Sequence, residues 1–292
     1  MKFLIYGHKG WIGSQFVDVI KGQHDILYGQ SRLDDEEGLE AEILKHKPDR
    51  IVSMTGRTHG PSVNNVDYLE GQDKLAENIR DNMYGPLVIA TLSKKHNIHL
   101  TYLGTGCLFH DDGSAEFDFD EEGKPNFFGS AYSTVKGFAD RVMHLFPNEV
   151  LNVRIRMCLT ADNNARNFIT KLTTYEYICS IPNSMTVLPE LLPIMADMSI
   201  KKLTGTINLT NPGAITHNEI LQMYKEIVDP DFTWKNFNVE DQNKILKSKR
   251  SSNVLNTKKL ESLYPNVTPI KEATRRVIEE MVKNKVKETQ AK

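Results

Sequence analysis

A glycine triplet at the start of the chain constrains the fold more than any other feature. Residues 3–6 (Phe-Leu-Ile-Tyr) form a short apolar run, and Gly7-His8-Lys9-Gly10-Trp11-Ile12-Gly13 follows it directly. A helical pattern then puts Ile12, Phe16, Val19 and Ile20 on one face between about 11 and 21. Strand, glycine turn and helix together open a βαβ unit. One glycine permits the tight turn, one lets backbone approach a pyrophosphate, and one lets helix and strand pack closely. The first N–H groups of the helix, with its dipole, then face the phosphates. The spacing is GxxGxxG, an approximation to GxGxxG. It predicts a dinucleotide held by Gly7, Gly10, Trp11, Ile12 and Gly13.

The alternation continues down the chain. Apolar runs at 25–28, 50–54, 99–103 and 150–155 are interleaved with helical patterns at 72–96 and 131–145. This predicts an α/β protein with a Rossmann-type, doubly wound parallel sheet. Pro86 falls inside the first of those helices, where it lacks a donor and crowds the carbonyl of Asn82, so a kink is expected. Beyond 157 the pattern loosens, and prolines at 182, 189, 193 and 212 divide it into shorter pieces. The expected organisation is a dinucleotide-binding domain over 1–157 and a smaller C-terminal substrate lobe over 158–282, partly interleaved with the sheet. A charged helix from about 270 leads to a solvated tail at 283–292. Met185, Met195 and Met198 read as core filler.

Charge and cysteine use narrow the setting. With 36 Lys+Arg against 38 Asp+Glu, the chain has no basic excess for nucleic acid. No apolar run approaches the roughly 18 residues of a membrane span, and residues 3–6 are too short for a secretory core. Cys107, Cys158 and Cys179 share no metal spacing, and an odd count suits a reducing, cytoplasmic setting. No metal is expected, since His110-Asp111-Asp112 is one loop cluster without a second set of ligands.

Tyr132-Ser133-Thr134-Val135-Lys136 places a phenol and an ammonium one helical turn apart. A cation there is expected to favour phenolate and lower the tyrosine from about 10, readying Tyr132 to exchange a proton with a carbonyl oxygen. The fourth strand ends in Leu103-Gly104-Thr105-Gly106-Cys107, at the sheet edge that lines a ligand crevice, so Thr105 offers a second donor to that oxygen. At the end of the second strand no acid precedes Asp34. Ser31 and Arg32 stand instead where a 2′-phosphate would lie, favouring NADPH with NADH as the alternative.

Glycine turn, strand-four hydroxyl and YxxxK, in that order, resemble the extended short-chain dehydrogenase/reductase family. Within it, KFLIYGHKGWIG, GTGCLF, NARNFITK, IPNSMTVLPELLPI and NLTNPGAITHNEILQMYK are similar to the bifunctional 3,5-epimerase/4-reductases of UDP-4-keto-6-deoxyglucose, as in the C-terminal part of plant rhamnose synthases. The likeness runs from Lys2 to Lys225 and more weakly to about 280, while His8, Lys9 and 58–65 depart from it. It implies a nucleotide-sugar substrate, NADPH-dependent reduction and a homodimer formed through the helices beginning near 72 and 131. It also implies that Cys107 and Lys171 transfer protons at carbons 3 and 5 while Tyr132, Lys136 and Thr105 serve the 4-keto group. Asn82 and Lys136 are further candidates for cofactor contacts. Asn167, Asn183 and Arg250 are candidates for substrate contacts, and Arg156 for a diphosphate. His59 and His217 carry no functional expectation. Two other readings stay open: a reductase without epimerase activity, which Cys107 and Lys171 disfavour, and a non-catalytic regulatory subunit, which Tyr132 and Lys136 disfavour.

Overall fold

The computed structural model of the protein describes residues 1–61, 63, 65–111, 113 and 118–290, with side chains to 284. Its strands are β1 (Lys2–Tyr6), β2 (Asp25–Tyr28), β3 (Arg50–Ser53), β4 (His99–Thr105), β5 (Val150–Ile155), β6 (Tyr177–Ile178), β7 (Gly205–Asn208) and β8 (Lys235–Asn236). Six of them form one parallel sheet in the order β2-β1-β3-β4-β5-β7, and β6 pairs with β8 apart from it. The helices are α1 (Trp11–Ile20), α2 (Glu36–His46), α3 (Leu75–Ile79), α4 (Gly85–Lys95), α5 (Ala131–Met143), α6 (Phe168–Thr174), α7 (Leu188–Ile200), α8 (His217–Ile227), α9 (Val239–Ile245), α10 (Lys258–Leu263) and α11 (Ile270–Gln290).

Period-two alternation along the strands builds a layer on each face. Phe3 and Ile5 of β1 pack with Phe16 of α1 and Leu188, Leu191 and Met195 of α7. Leu4 and Tyr6 pack on the other face with Leu39 and Ile43 of α2 and Ile89 of α4. The helix layer changes face where the strand order reverses, between β1 and β3, and the crevice outside the strand ends at such a point is where ligands bind in doubly wound sheets.

The second half returns to the sheet in part. Leu159, Ile169, Met185, Ile215, Ile220 and Ile278 form a separate lobe core, yet α7 and β7 return to the sheet. Met185, Met195 and Met198 are fully buried.

Several local expectations change. α2 escaped notice because four glutamates, a lysine and a histidine dominate its sequence, with only Leu39 and Ile43 buried. The helix expected from about 72 begins at Leu75, and a π turn over Arg80–Tyr84 precedes Pro86, which sits in the first turn of α4. The wider turn, closed by Gly85 N–H to the Arg80 carbonyl, is how the chain accommodates the missing proline donor. The segment expected as a tail from 283 continues α11 to Gln290, for it holds neither glycine nor proline and is rich in helix-compatible Lys and Glu.

Candidate active site

A cleft of about 1640 Å³ opens at the strand ends and runs from the glycine turn to the second lobe. One small ligand typically occupies about 300–1,000 Å³, so this space suits two sizeable ligands side by side. Gly7, Gly10, Trp11, Ile12 and Gly13 line one end. Gly7 has φ +81°, and a Cβ there would lie 2.7 Å from the Met54 backbone; one on Gly13 would lie 2.1 Å from the Gly7 carbonyl oxygen. Both positions therefore need glycine, for the turn and for the helix–strand approach. Gly10 precedes α1, whose first turn has no side-chain cap, so this end fits a pyrophosphate. Trp11 Nε1 donates to Asp162 at 3.1 Å, joining the glycine turn to the second lobe.

Beyond the turn lies a corner rich in paired charges. Glu42 of α2 accepts from Gln30 N, Ser31 N and Ser31 Oγ, at 3.1, 2.8 and 2.9 Å, and from the Tyr6 hydroxyl at 2.9 Å. The acid that shapes the end of β2 thus comes from a helix that sequence reasoning missed, and it holds the Ser31 hydroxyl. Arg32 is 57% exposed and bridges Asp34 at 2.9 Å and Asp81 at 3.0 Å. Asn82, expected to touch cofactor, lines the cleft, and its side chain also ties down a loop. Its Oδ1 accepts from Arg57 N at 2.8 Å, and its Nδ2 donates to Arg57 O and Asn78 Oδ1.

The reacting centre lies where β4 ends and α5 begins. Ser130 caps α5 by accepting from Ser133 N, and Glu70 accepts from Ala131 N at 2.9 Å, which fixes the first turn carrying Tyr132. Tyr132, Thr105, Cys107 and Lys136 all line the cleft, and the Cys107 amide donates to Thr105 Oγ1 at 3.1 Å. One electrostatic expectation is corrected. The Lys136 ammonium donates to the Tyr102 hydroxyl, and its Nζ lies 4.6 Å from the centre of that ring. Burial pushes the Tyr132 phenol up, Cys107 adds to this, and a hydrogen bond from Thr105 only partly opposes it. Tyr132 is therefore a protonated phenol at neutral pH, the form that donates. Burial also pulls Lys136 down to about 8, with Asp140 opposing.

Lys171, from α6, lines the same cleft. Burial lowers it, as expected, and Arg166 adds to the effect while Cys158 opposes it. Cys158 feels both Cys107 and Lys171, and burial pushes it up to about 12. Arg166 Nη2 also meets His59 Nε2 at 2.5 Å. Arg57 and Arg166 were not singled out, although Arg166 lies within NARNFITK and loops after parallel strands are where such residues gather; His59 and Cys158 were named without a catalytic role.

The three substrate candidates fare differently. Asn167 is fully buried: it caps α6 through Ile169 N and donates to the carbonyls of Thr160 and Asp162. It is a structural residue, not a contact. Asn183 lines the cleft, but its Oδ1 accepts from Arg156 Nη2 at 2.6 Å and its Nδ2 donates to Ile181 O, so it orders the wall. Arg250 lines the cleft, partly exposed and paired with Asp67 at 2.8 Å. Among the described residues no group of His, Cys, Asp or Glu could hold a metal ion, and no helix is long and apolar enough to cross a membrane. Asp112, weighed earlier with His110, lies outside the described residues.

Glycine turn, parallel sheet and the Thr105–Tyr132–Lys136 group define an extended short-chain dehydrogenase/reductase. No family model matches the chain. The crystal structure of the UDP-rhamnose synthase of Acanthamoeba polyphaga mimivirus is 54% identical, with a TM-score of 0.94 over 96% of this chain and 99% of that one. A bifunctional dTDP-4-dehydrorhamnose 3,5-epimerase/reductase of Arabidopsis thaliana is 41% identical over 277 residues, 93% of this chain and 90% of that protein. A dTDP-4-dehydrorhamnose reductase of Bacillus anthracis, crystallised with NADP, shares the fold at a TM-score of 0.78 and 17% identity. The chain belongs to the family of nucleotide-sugar epimerase/reductases that make activated rhamnose.

Proposed function

We propose that the chain converts UDP-4-keto-6-deoxy-D-glucose to UDP-L-rhamnose, inverting carbons 3 and 5 and then reducing the 4-keto group with NADPH. The observation that carries this reading is the gathering of Thr105, Cys107, Tyr132 and Lys171 in one cleft beside the glycine turn. The two relatives that are 54% and 41% identical support it.

A 4-keto group acidifies the hydrogens on carbons 3 and 5, because the anion delocalises onto the oxygen. Tyr132 and Thr105 hydrogen-bond that oxygen, while Cys107 and Lys171 remove and return protons from opposite sides of the ring. Lys171, lowered by burial, is suited to act as a base nearer neutrality than a solvated lysine. Bound NADPH supplies the hydride. Tyr132 gives its phenolic proton to the oxygen, and Lys136, turned to the Tyr102 hydroxyl, lines the same cleft as a cation. Arg250 and Arg166, both lining the cleft, suit the diphosphate.

Solvent-deuterium incorporation at carbons 3 and 5 tests the proton-transfer assignment. Cys107→Ser should lose it while still reducing a ketone already inverted; unaltered incorporation in that variant would refute the assignment.

NADPH is preferred because Glu42 is occupied by the loop after β2 and Arg32 stands largely exposed beside it. Initial rates at equal NADPH and NADH concentrations measure this, and faster turnover with NADH contradicts it. The exposed Phe138 of α5 and Tyr84 beside α4, 58% and 45% accessible, support a homodimer through these helices. An odd set of free thiols supports a cytoplasmic setting, which fractionating the expressing cells checks: recovery with membranes or outside the cell contradicts it.

A further inference from the structure

Of the two cleft arginines suited to the diphosphate, Arg166 meets a histidine and Arg250 a carboxylate. The loop carrying Arg250 is tied down on either side of it. Lys249 N donates to Gly129 O at 3.1 Å, just before α5, and Ser251 Oγ donates to Phe109 O at 2.7 Å. Between these ties one amino group alone holds the guanidinium. Arg250 Nη1 donates to Ser248 Oγ at 2.7 Å and to Ser248 O at 3.2 Å, and it lies 2.8 Å from Asp67 Oδ1. The Ser248 hydroxyl donates in turn to that same oxygen at 3.2 Å, so Asp67, Ser248 and Nη1 close a small triangle.

The other side of the guanidinium is open. Nε and Nη2 take no partner among the described residues and are not sealed within the protein. The arginine lines the cleft with 29% of its side chain exposed. Nε and Nη2 together form a two-donor edge, the geometry that matches two oxygens of a phosphate.

Asp67 itself stands on a fixed support. It belongs to the 3-10 turn Val66–Glu70, which joins β3 to α3, and Asn65 Oδ1 caps that turn by accepting from Asp67 N at 2.8 Å. Leu69 is buried beneath it, and Glu70 at its far end accepts from Ala131 N at 2.9 Å. The turn is thus anchored to α5, and the Asp67 side chain is only 12% exposed. A carboxylate beside an anion-binding cation also draws charge away from the ligand. Asp67 therefore helps binding only if the geometry it imposes outweighs that loss, which gives the test a sign.

We propose that Asp67 is the positioning residue of Arg250: it engages Nη1 and so aims the Nε–Nη2 edge at the diphosphate of the nucleotide sugar. The proposal deepens the assignment of Arg250 to the diphosphate and rests on it. Asp67 acts only through the arginine.

The test is the affinity of the intact protein for UDP, measured by isothermal titration calorimetry, with NADPH as the control ligand. Fixing a loose arginine on binding costs roughly two- to tenfold in affinity, so Asp67→Ala should weaken UDP binding by that factor and leave NADPH binding unchanged. Asp67→Asn, whose amide oxygen still accepts from Nη1, should recover most of the loss. Arg250→Ala should weaken UDP binding by itself, and adding Asp67→Ala to it should cost nothing further; a merely loosened turn would cost the same in both backgrounds. If Asp67→Ala does not fold, Ser248→Ala, which removes the 2.7 Å acceptor, decides by weakening UDP binding severalfold or leaving it unchanged. Unchanged or tighter UDP binding in folded Asp67→Ala overturns the proposal, as does a loss that asparagine fails to recover or one that adds to that of Arg250→Ala. If Arg250→Ala binds UDP as the wild type does, or the wild type binds none, the diphosphate reading falls and the proposal with it. If Arg250→Ala weakens binding and Asp67→Ala does not, the proposal alone falls.

Discussion

Tyr132, Lys136 and Asp140 stand one turn apart on the buried side of α5, and their order decides which proton each can hold. Asp140 is fixed as a carboxylate by Arg154, and its charge partly offsets the burial that lowers Lys136 to about 8. Lys136 is therefore mostly charged at pH 7 and loses that charge as pH rises through about 8. Ketone reduction should decline over the same interval in a kcat–pH profile, and Lys136→Arg, which stays charged, should move the decline to higher pH. A decline at the same pH in both proteins contradicts the assignment. The decline is not unfolding driven by this group. Its folded value lies below the roughly 10.4 of an exposed lysine, so the unfolded chain binds more protons between the two, and this lysine's contribution to stability rises with pH there. The Tyr132–Lys136 spacing was legible in the sequence because it is local. Its electrostatics were not, because the ammonium's partner, Tyr102, sits on β4, 34 residues away. Asn167 misled for a related reason: an asparagine before a short helix fits a cap as well as a ligand contact, and here it caps.

At the scale of elements, the glycine turn was the most legible part, since tight turn, close approach and helix packing leave little besides glycine possible at positions 7 and 13. α2 was the least legible. Its apolar stripe is only Leu39 and Ile43, yet its Glu42 shapes the end of β2 and so the corner where the two cofactors differ. Pro86 was read correctly as a disturbance but not as a π turn, which depends on where the chain must deliver Asn78 and Asn82 to the β3 loop. The long helix split by that turn packs with α5, and Phe138 projects from α5 largely uncovered. In the proposed homodimer a charge placed there would be buried by the partner subunit. Phe138→Arg should then lower the mass seen by light scattering from dimer to monomer while leaving the far-ultraviolet circular dichroism unaltered. An unchanged mass, or a wild type that is already monomeric, contradicts dimerisation through this face.

For the molecule as a whole, the sheet order puts the reversal between β1 and β3 and so opens a cleft of about 1640 Å³ between sheet and lobe, large enough for a dinucleotide and a nucleotide sugar together. The α/β class and the first five sheet strands could be read from alternating patterns. The sixth, β7, could not: it is four residues long and lies within the stretch read as lobe. Cys107 and Lys171, 64 positions apart, meet in one cavity only because the chain crosses from sheet to lobe after β5. In the proposed mechanism that meeting is what separates an epimerase/reductase from a reductase alone. The most direct measurement is to incubate the protein with NADPH and UDP-4-keto-6-deoxy-D-glucose and identify the product by NMR. UDP-L-rhamnose is expected; the 4-reduced sugar with carbons 3 and 5 uninverted, or no turnover, would contradict the central claim.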